Sequence, residues 1–112
     1  MESILTSIKK LLQIAEEYTH YDADIIMHIN TVFVALRQMG VGPAEGFYIE
    51  DASAVWEDFI ENPVECNAVK SYIGAKVRLM FDPPQGSAHI ECLKQTVSEF
   101  EWRLNLDAET TS

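Results

Sequence analysis

The chain is short of cysteine, of positive charge and of long apolar runs, and each shortage removes a class of function. Its two cysteines, Cys66 and Cys92, stand far apart with no CxxC pair. A disulfide framework or a thiolate metal knuckle is therefore not expected, and both are read as reduced, mostly buried thiols within helices. No apolar run approaches the roughly 18 residues of a membrane span. The opening Met1-Glu2-Ser3 has no basic stretch of the kind that starts a secretory signal. A protein of the cell interior, or one assembled there, with no membrane partner, is expected. Lys and Arg number 8 against 18 Asp and Glu, for a net charge of −10. Between Gln38 and Val69 there is no Lys or Arg, while Glu45, Glu50, Asp51, Glu57, Asp58, Glu61 and Glu65 accumulate. Such a surface repels a phosphate backbone, so sequence-specific DNA or RNA binding is not expected. Acidity suits a protein past which DNA slides, and it equally suits plain solubility.

Catalytic signatures are missing as well. There is no GxSxG, no phosphate-cradling glycine loop and no nucleophile elbow. The carboxylate pairs Glu16-Glu17, Glu50-Asp51 and Glu57-Asp58 are adjacent in sequence, and neighbours on a helix diverge by about 100°, so they form no acid/base site. His20, Asp24 and His28 are spaced by four, which on one helix would line a single face, as a helical metal site requires. His20 precedes the expected helix start, however, and no second ligand cluster converges on it. A solvated polar face is expected there, with no metal and no cofactor. His89 and Cys92 lie three apart, without an orienting residue or an oxyanion hole. The chain is not read as an enzyme.

What is present is helical periodicity. At 112 residues the chain is expected to form one domain, 1–112, burying roughly 65% of its unfolded surface. Ser3 is placed to cap a first helix with Ile4, Ile8, Leu11, Leu12 and Ala15 inward and Lys9 and Lys10 on its flank, fading near Glu16-Glu17-Tyr18. Asp22 opens a second, with Ile25, Ile29, Val32, Phe33, Leu36 and Met39 on one face and Gly40 as the left-handed stop. An irregular loop is expected around residues 40–52, with Phe47-Tyr48-Ile49 too short to be a strand. Ser53 is expected to cap a brief third helix that turns Val55, Trp56, Phe59 and Ile60 inward.

Asn62-Pro63-Val64-Glu65 combines a cap, a proline at the first helical position and a glutamate in the first turn, a strong start for the fourth helix. That helix carries Cys66, Val69, Ile73, Val77, Met80 and Phe81 inward until Pro83-Pro84 stops it. Gly74 points either to close approach of another backbone or to a merely tolerated glycine. Ser87 is expected to cap the fifth helix, with Ile90, Leu93, Val97, Phe100 and Leu104 inward. Residues 107–112 read as a flexible or partner-ordered tail. The fold class is all-α: a small bundle of four main helices and one short one. Aromatics are many for so small a core, and Trp102 stands off the stripe of the fifth helix, which suits either a subunit contact or packing over the third helix.

The motif Ile8-Lys9-Lys10-Leu11-Leu12-Gln13-Ile14, followed after a short gap by Asp24-Ile25-Ile26 and Ile29, resembles the opening of the small head–tail connector proteins of tailed bacteriophages. The segments Val77-Arg78-Leu79-Met80-Phe81-Asp82-Pro83-Pro84 and Glu99-Phe100-Glu101-Trp102-Arg103-Leu104 are similar to the helical hairpin of many siphophage members. The likeness spans about residues 4 to 106; the long acidic middle and Pro83-Pro84 depart from it.

The resemblance implies a non-enzymatic structural protein of the virion neck, assembled in the host cytoplasm. It implies a homo-oligomeric ring beneath the portal protein that extends the DNA channel and meets the next neck (stopper) or tail protein, with DNA passing unbound. It places portal contacts in Trp102–Ser112, with Trp102, Arg103 and Leu106 as candidates. Neighbour contacts would fall in the loop Val41–Asp51, with Phe47 and Tyr48 as candidates. Glu45, Glu50, Asp51, Glu57, Asp58 and Glu61 are then candidates to face the lumen. The alternative is a small acidic inhibitor that mimics DNA charge toward a nucleic-acid-binding enzyme. The apolar surplus beyond core needs favours the connector.

Overall fold

The computed structural model describes residues 2–111, with side chains for all of these except Asp107, Glu109, Thr110 and Thr111. Helix α1 spans Ile4–Leu11, and the Ser3 hydroxyl accepts a hydrogen bond from the Thr6 amide at 3.2 Å, as a cap should. The helix is shorter than its apolar pattern predicts. Gln13 turns into the left-handed region at φ 63°, its amide donates to the Lys10 carbonyl, and the Ile14 amide donates to that of Lys9. This is a Schellman stop with glutamine where glycine is usual, so the sequence carries no obvious mark of it. Leu11 and Ala15, expected inside, are exposed as a result.

The larger correction concerns Lys9. Expected on the flank, it is 2% exposed. Its ammonium donates to the carbonyls of Glu16 and Tyr18, both at 2.8 Å, and pairs with the Asp22 carboxylate at 2.9 Å. The Asp22 contact is an ion pair whose alignment falls short of a hydrogen bond. One cation thus ties α1, the connector after it and the first residue of the next helix. Asp22 accordingly serves as a counter-charge, and Tyr21 occupies the cap position.

Helix α2 spans Asp22–Gln38 and buries Ile25, Ile29, Val32, Phe33 and Leu36. Gly40, at φ 86°, ends it as predicted, with the Val41 amide donating to the Leu36 carbonyl. The following loop is irregular but anchored. The Asn30 side chain grips Ile49 from both sides, donating to its carbonyl at 3.0 Å and accepting from its amide at 2.8 Å. Arg37 donates to the Ala44 carbonyl at 2.9 Å. Gly42 is required where it stands: φ is 88°, and a β-carbon there would lie 2.4 Å from the Phe59 ring.

Helix α3 is the single turn Trp56–Phe59. Ser53 is not its cap; both its amide and its hydroxyl donate to Asp51 instead. The Asp58 carboxylate accepts from the Val55 amide at 3.1 Å and closes the turn from within. The other face of α1 is joined to this segment. Ile4 donates to the Ala54 carbonyl at 3.0 Å, and the Trp56 indole donates to the Ser7 hydroxyl at 2.8 Å. Ser7 also lies against the Glu2 carboxylate. That hydrogen bond, opposed by partial burial and aided by nearby Lys70 and Lys10, holds Glu2 below the usual carboxylate range.

Helix α4 spans Pro63–Phe81 and starts as read: the Asn62 carbonyl oxygen accepts from the amides of Val64 and Glu65 at 2.9 and 3.1 Å. It is the central helix, packing on α1, on α2 and on helix α5, Ser87–Thr111. Met80, expected inside, is exposed, whereas Tyr72 is fully buried. Gly74 is approached closely, but by a side chain: a β-carbon there would lie 2.5 Å from Leu11 Cδ1. The α5 backbone begins at Ser87, and the Gly86 carbonyl accepts the first helical bond from Ile90. Gly86 therefore holds the cap position expected of Ser87. The tail expectation falls largely on side chains outside those described; the backbone is helical as far as Thr111. The core runs through Ile4, Ile8, Ile25, Ile29, Val69, Ile73 and Val77, all 0% exposed. Among the described residues there is no strand, only one bridge between Ser3 and Val55. The predicted all-α class holds.

Replacing Lys9 by Met keeps the bulk and removes the charge, leaving Asp22 and two carbonyls unpaired. Chemical denaturation is expected to show a loss of about 3–5 kcal/mol, against a change within about 0.5 kcal/mol for exposed Lys10→Met.

Candidate interaction surfaces

Among the described residues, no three His, Cys, Asp or Glu side chains come together in a way that could hold a metal. His20 lies edge-on to Tyr21 with ring centres 4.7 Å apart, and His28 faces Phe81 at 6.2 Å. The two cysteines differ from each other. Cys66 is buried, which pushes its thiol up, while Cys92, expected inside, is exposed. It lines a shallow cleft with Arg78, Pro84, His89, Leu93 and Thr96 at the hairpin end of α4 and α5. His89 and Cys92 thus share a surface with Arg78 and Thr96.

The geometry builds surfaces for contact. Helix α5 is fixed on α4 by Val97 and Leu104, both buried, and by one polar clasp. The Tyr72 hydroxyl donates to the Glu101 carboxylate at 2.8 Å, and Lys76 donates to the same oxygen at 3.2 Å. With that face fixed inward, Trp102 is turned outward and is 66% exposed. Of its two possible roles, packing over α3 is therefore not realised in this structure. Arg103 pairs with Glu99 at 2.6 Å on the same exposed side, and Leu106 is also exposed.

The two loop aromatics part company. The Phe47 ring sits between Phe33 and Phe59, with centres at 5.1 and 5.3 Å, and it closes the core. Tyr48, the next residue, is 66% exposed. The acidic candidates Glu45, Glu50, Asp51, Glu57, Asp58 and Glu61 are all exposed. Asp51 is held below the usual carboxylate range, chiefly by the hydroxyl and then the amide of Ser53.

One surface has no counterpart in the sequence reading. Met27 and Val34 on α2 are each 58% exposed. Ala23 lies exposed beside them, and the Thr31 hydroxyl folds back onto the Met27 carbonyl at 2.9 Å. The signal was available: from Ile25 to Leu36 there is no Asp, Glu, Lys or Arg. Tracking only the inward stripe passes over it.

Burial, then the bond to Glu101, raises the Tyr72 phenol well above its ordinary range. A raised phenol pKa means the fold favours the neutral form. Its stabilisation is full below about pH 10 and is lost as pH rises beyond that. Tyr72→Phe should cost about 1–2 kcal/mol at neutral pH, and denaturation series should show the wild type losing stability above pH 10 more steeply than the variant.

Among curated proteins and among solved structures, no relative matches the chain. A family model does, that of the phage connector protein, over residues 4–111. The match takes in all five helices, from the first residue of α1 to the last of α5. The chain belongs to the phage connector protein family, and its role is that of a structural connector of a bacteriophage.

Proposed function

We propose that the subunit assembles into a homo-oligomeric ring between the portal protein and the next neck or tail protein, and so extends the channel through which DNA passes. The observation that supports this beyond family membership is the segregation of charge. Glu45, Glu50, Asp51, Glu57, Asp58, Glu61 and Glu65 are all exposed along a stretch with no Lys or Arg between Arg37 and Lys70.

Facing a lumen, such a stretch keeps phosphates from adhering. Repulsion acts within about 8 Å at physiological salt, enough to hold passing DNA off the wall. Tyr48, Trp102, Arg103 and Leu106 then stand at margins where neighbours and the portal make contact. Phe47 serves from within, by setting the loop that presents Tyr48. No helix among the described residues is long and apolar enough to cross a membrane. The protein works in the virion neck and reaches it from the host cytoplasm during assembly.

Mixing the purified protein with portal rings of its own phage and imaging by electron microscopy is expected to reveal an added ring below the portal. A subunit that ignores the portal yet blocks a DNA-binding enzyme would support charge mimicry instead. Particles carrying Glu50→Lys, Glu57→Lys and Glu61→Lys together, all at exposed positions, should still assemble but eject DNA several-fold more slowly, because each new cation can hold a phosphate. Ejection at the wild-type rate would place that stretch on the outer rim.

A further inference from the structure

We infer that the outer flank of α2 on one copy seats against the outer flank of α5 on the next copy, through Met27 and Val34 on one side and Trp102 on the other. The inference rests on the ring proposed above and names the surfaces that close it. Helices α2 and α5 both pack on α4. Each has a large apolar side chain turned away from its packed face. On α2, Met27 and Val34 fall about 180° round the helix from the stripe of Ile25, Ile29 and Leu36. On α5, Trp102 stands about 140° round from Val97.

Electrostatics selects the occupant. Two copies that each carry a charge of −10 repel, so they can meet only where carboxylates are missing or neutralised. From Ile25 to Leu36 there is no Asp, Glu, Lys or Arg. Among the described side chains around Trp102 the acids are paired: Glu99 with Arg103 at 2.6 Å, and Glu101 with Lys76 at 3.2 Å. The α2 flank is bounded by one acid and one base, Asp24 and Arg37, both exposed, so both flanks are poor in unmatched charge for so acidic a molecule, and one presents two aliphatic side chains to the broad ring of the other.

The flanks also differ from each other, which decides the symmetry. A contact between unlike patches is head-to-tail, and repeated it closes into a ring when the rotation allows. A single foreign partner would cover one flank and leave the other bare, whereas a copy on either side covers both. The contact is small. The 17 residues of α2 offer a strip about 26 Å by about 10 Å, roughly 260 Å² against about 800 Å² per partner in a stable interface. Free subunits are therefore expected to be mostly monomeric, with the contact engaged at high local concentration on a template.

Cysteine cross-linking tests the pairing. In a Cys92→Ser background, Val34→Cys and Trp102→Cys variants are oxidised mildly at millimolar concentration, alone and mixed. Asn67→Cys, exposed on α4, sets the collisional background. The mixture should yield a 34–102 linked dimer at least ten-fold above that background and above either variant alone. Self-linking of Val34→Cys at the same yield, or no product above background, overturns the pairing. Capture of position 34 or 102 by portal protein rather than by a second copy overturns it too. Rings seen on the portal without a 34–102 link refute these surfaces and leave the ring standing. No ring on the portal refutes the ring itself, and the pairing with it.

Discussion

A single buried cation organises the first third of this subunit. Lys9 sits where its helix packs inward, and taking an ammonium out of water costs several kcal/mol unless charge and hydrogen bonds replace the lost solvent. Here they do: the Asp22 carboxylate supplies the charge, and the carbonyls of Glu16 and Tyr18 accept two of its three protons. Those partners come from the connector and from the first residue of α2, so the cation dictates the path between the two helices. Apolar packing of Ile8 and Leu12 with Ile25 and Ile29 brings α2 back to α1, and the cation fixes the path by which it returns. The opposite face of α1 is joined to the 54–56 segment through Ile4, Ser7 and Trp56. The short helix is thereby held between two regions distant in sequence, and α4 packs over the result.

That arrangement explains what the sequence could and could not disclose. Elements marked by capping chemistry were legible: the Ser3 cap, the Gly40 stop and the Asn62-Pro63 start each rest on a residue whose local physics allows few other uses. The missed features depend on partners far along the chain, or on a residue in an uncommon role. Gln13 takes a left-handed turn usually given to glycine, so α1 reads longer on paper than it is in space. Lys9 reads as a surface residue because periodicity carries no information about a carbonyl seven or nine residues away. Asn30 looks like one more polar position on α2 until Ile49 returns to it. Surface residues followed the same division. That Trp102 lies off the inward stripe of α5 was legible, but its exposure was decided only by how α5 sits on α4. The bare flank of α2 was written in the sequence as a missing charge, which is harder to notice than a motif.

Interior and surface therefore carry separate tasks. The interior is self-sufficient, with the phenol of Tyr72 and the ring of Phe47 both committed to packing. The polar chemistry outside it falls into two zones: an acidic stretch of sequence without Lys or Arg, and helix flanks where the described acids are few or paired with a cation. A structural connector of a phage needs that division. In the ring proposed above, the subunit would hold its own shape before assembly and meet neighbours through surfaces that do not repel, while DNA would pass one that does.

Locked by Lys9, the α1 region makes the subunit a preformed part whose first third is as firmly held as its middle. Hydrogen exchange on the isolated protein tests it most directly. The amides of Leu12 and Ile14, bonded to the Ile8 and Lys9 carbonyls, should exchange only in the same cooperative opening that releases the α4 amides around Val77. Exchange orders of magnitude faster in the α1 region, with α4 still protected, would show instead that the first helix and its connector open on their own and that Lys9 does not lock them.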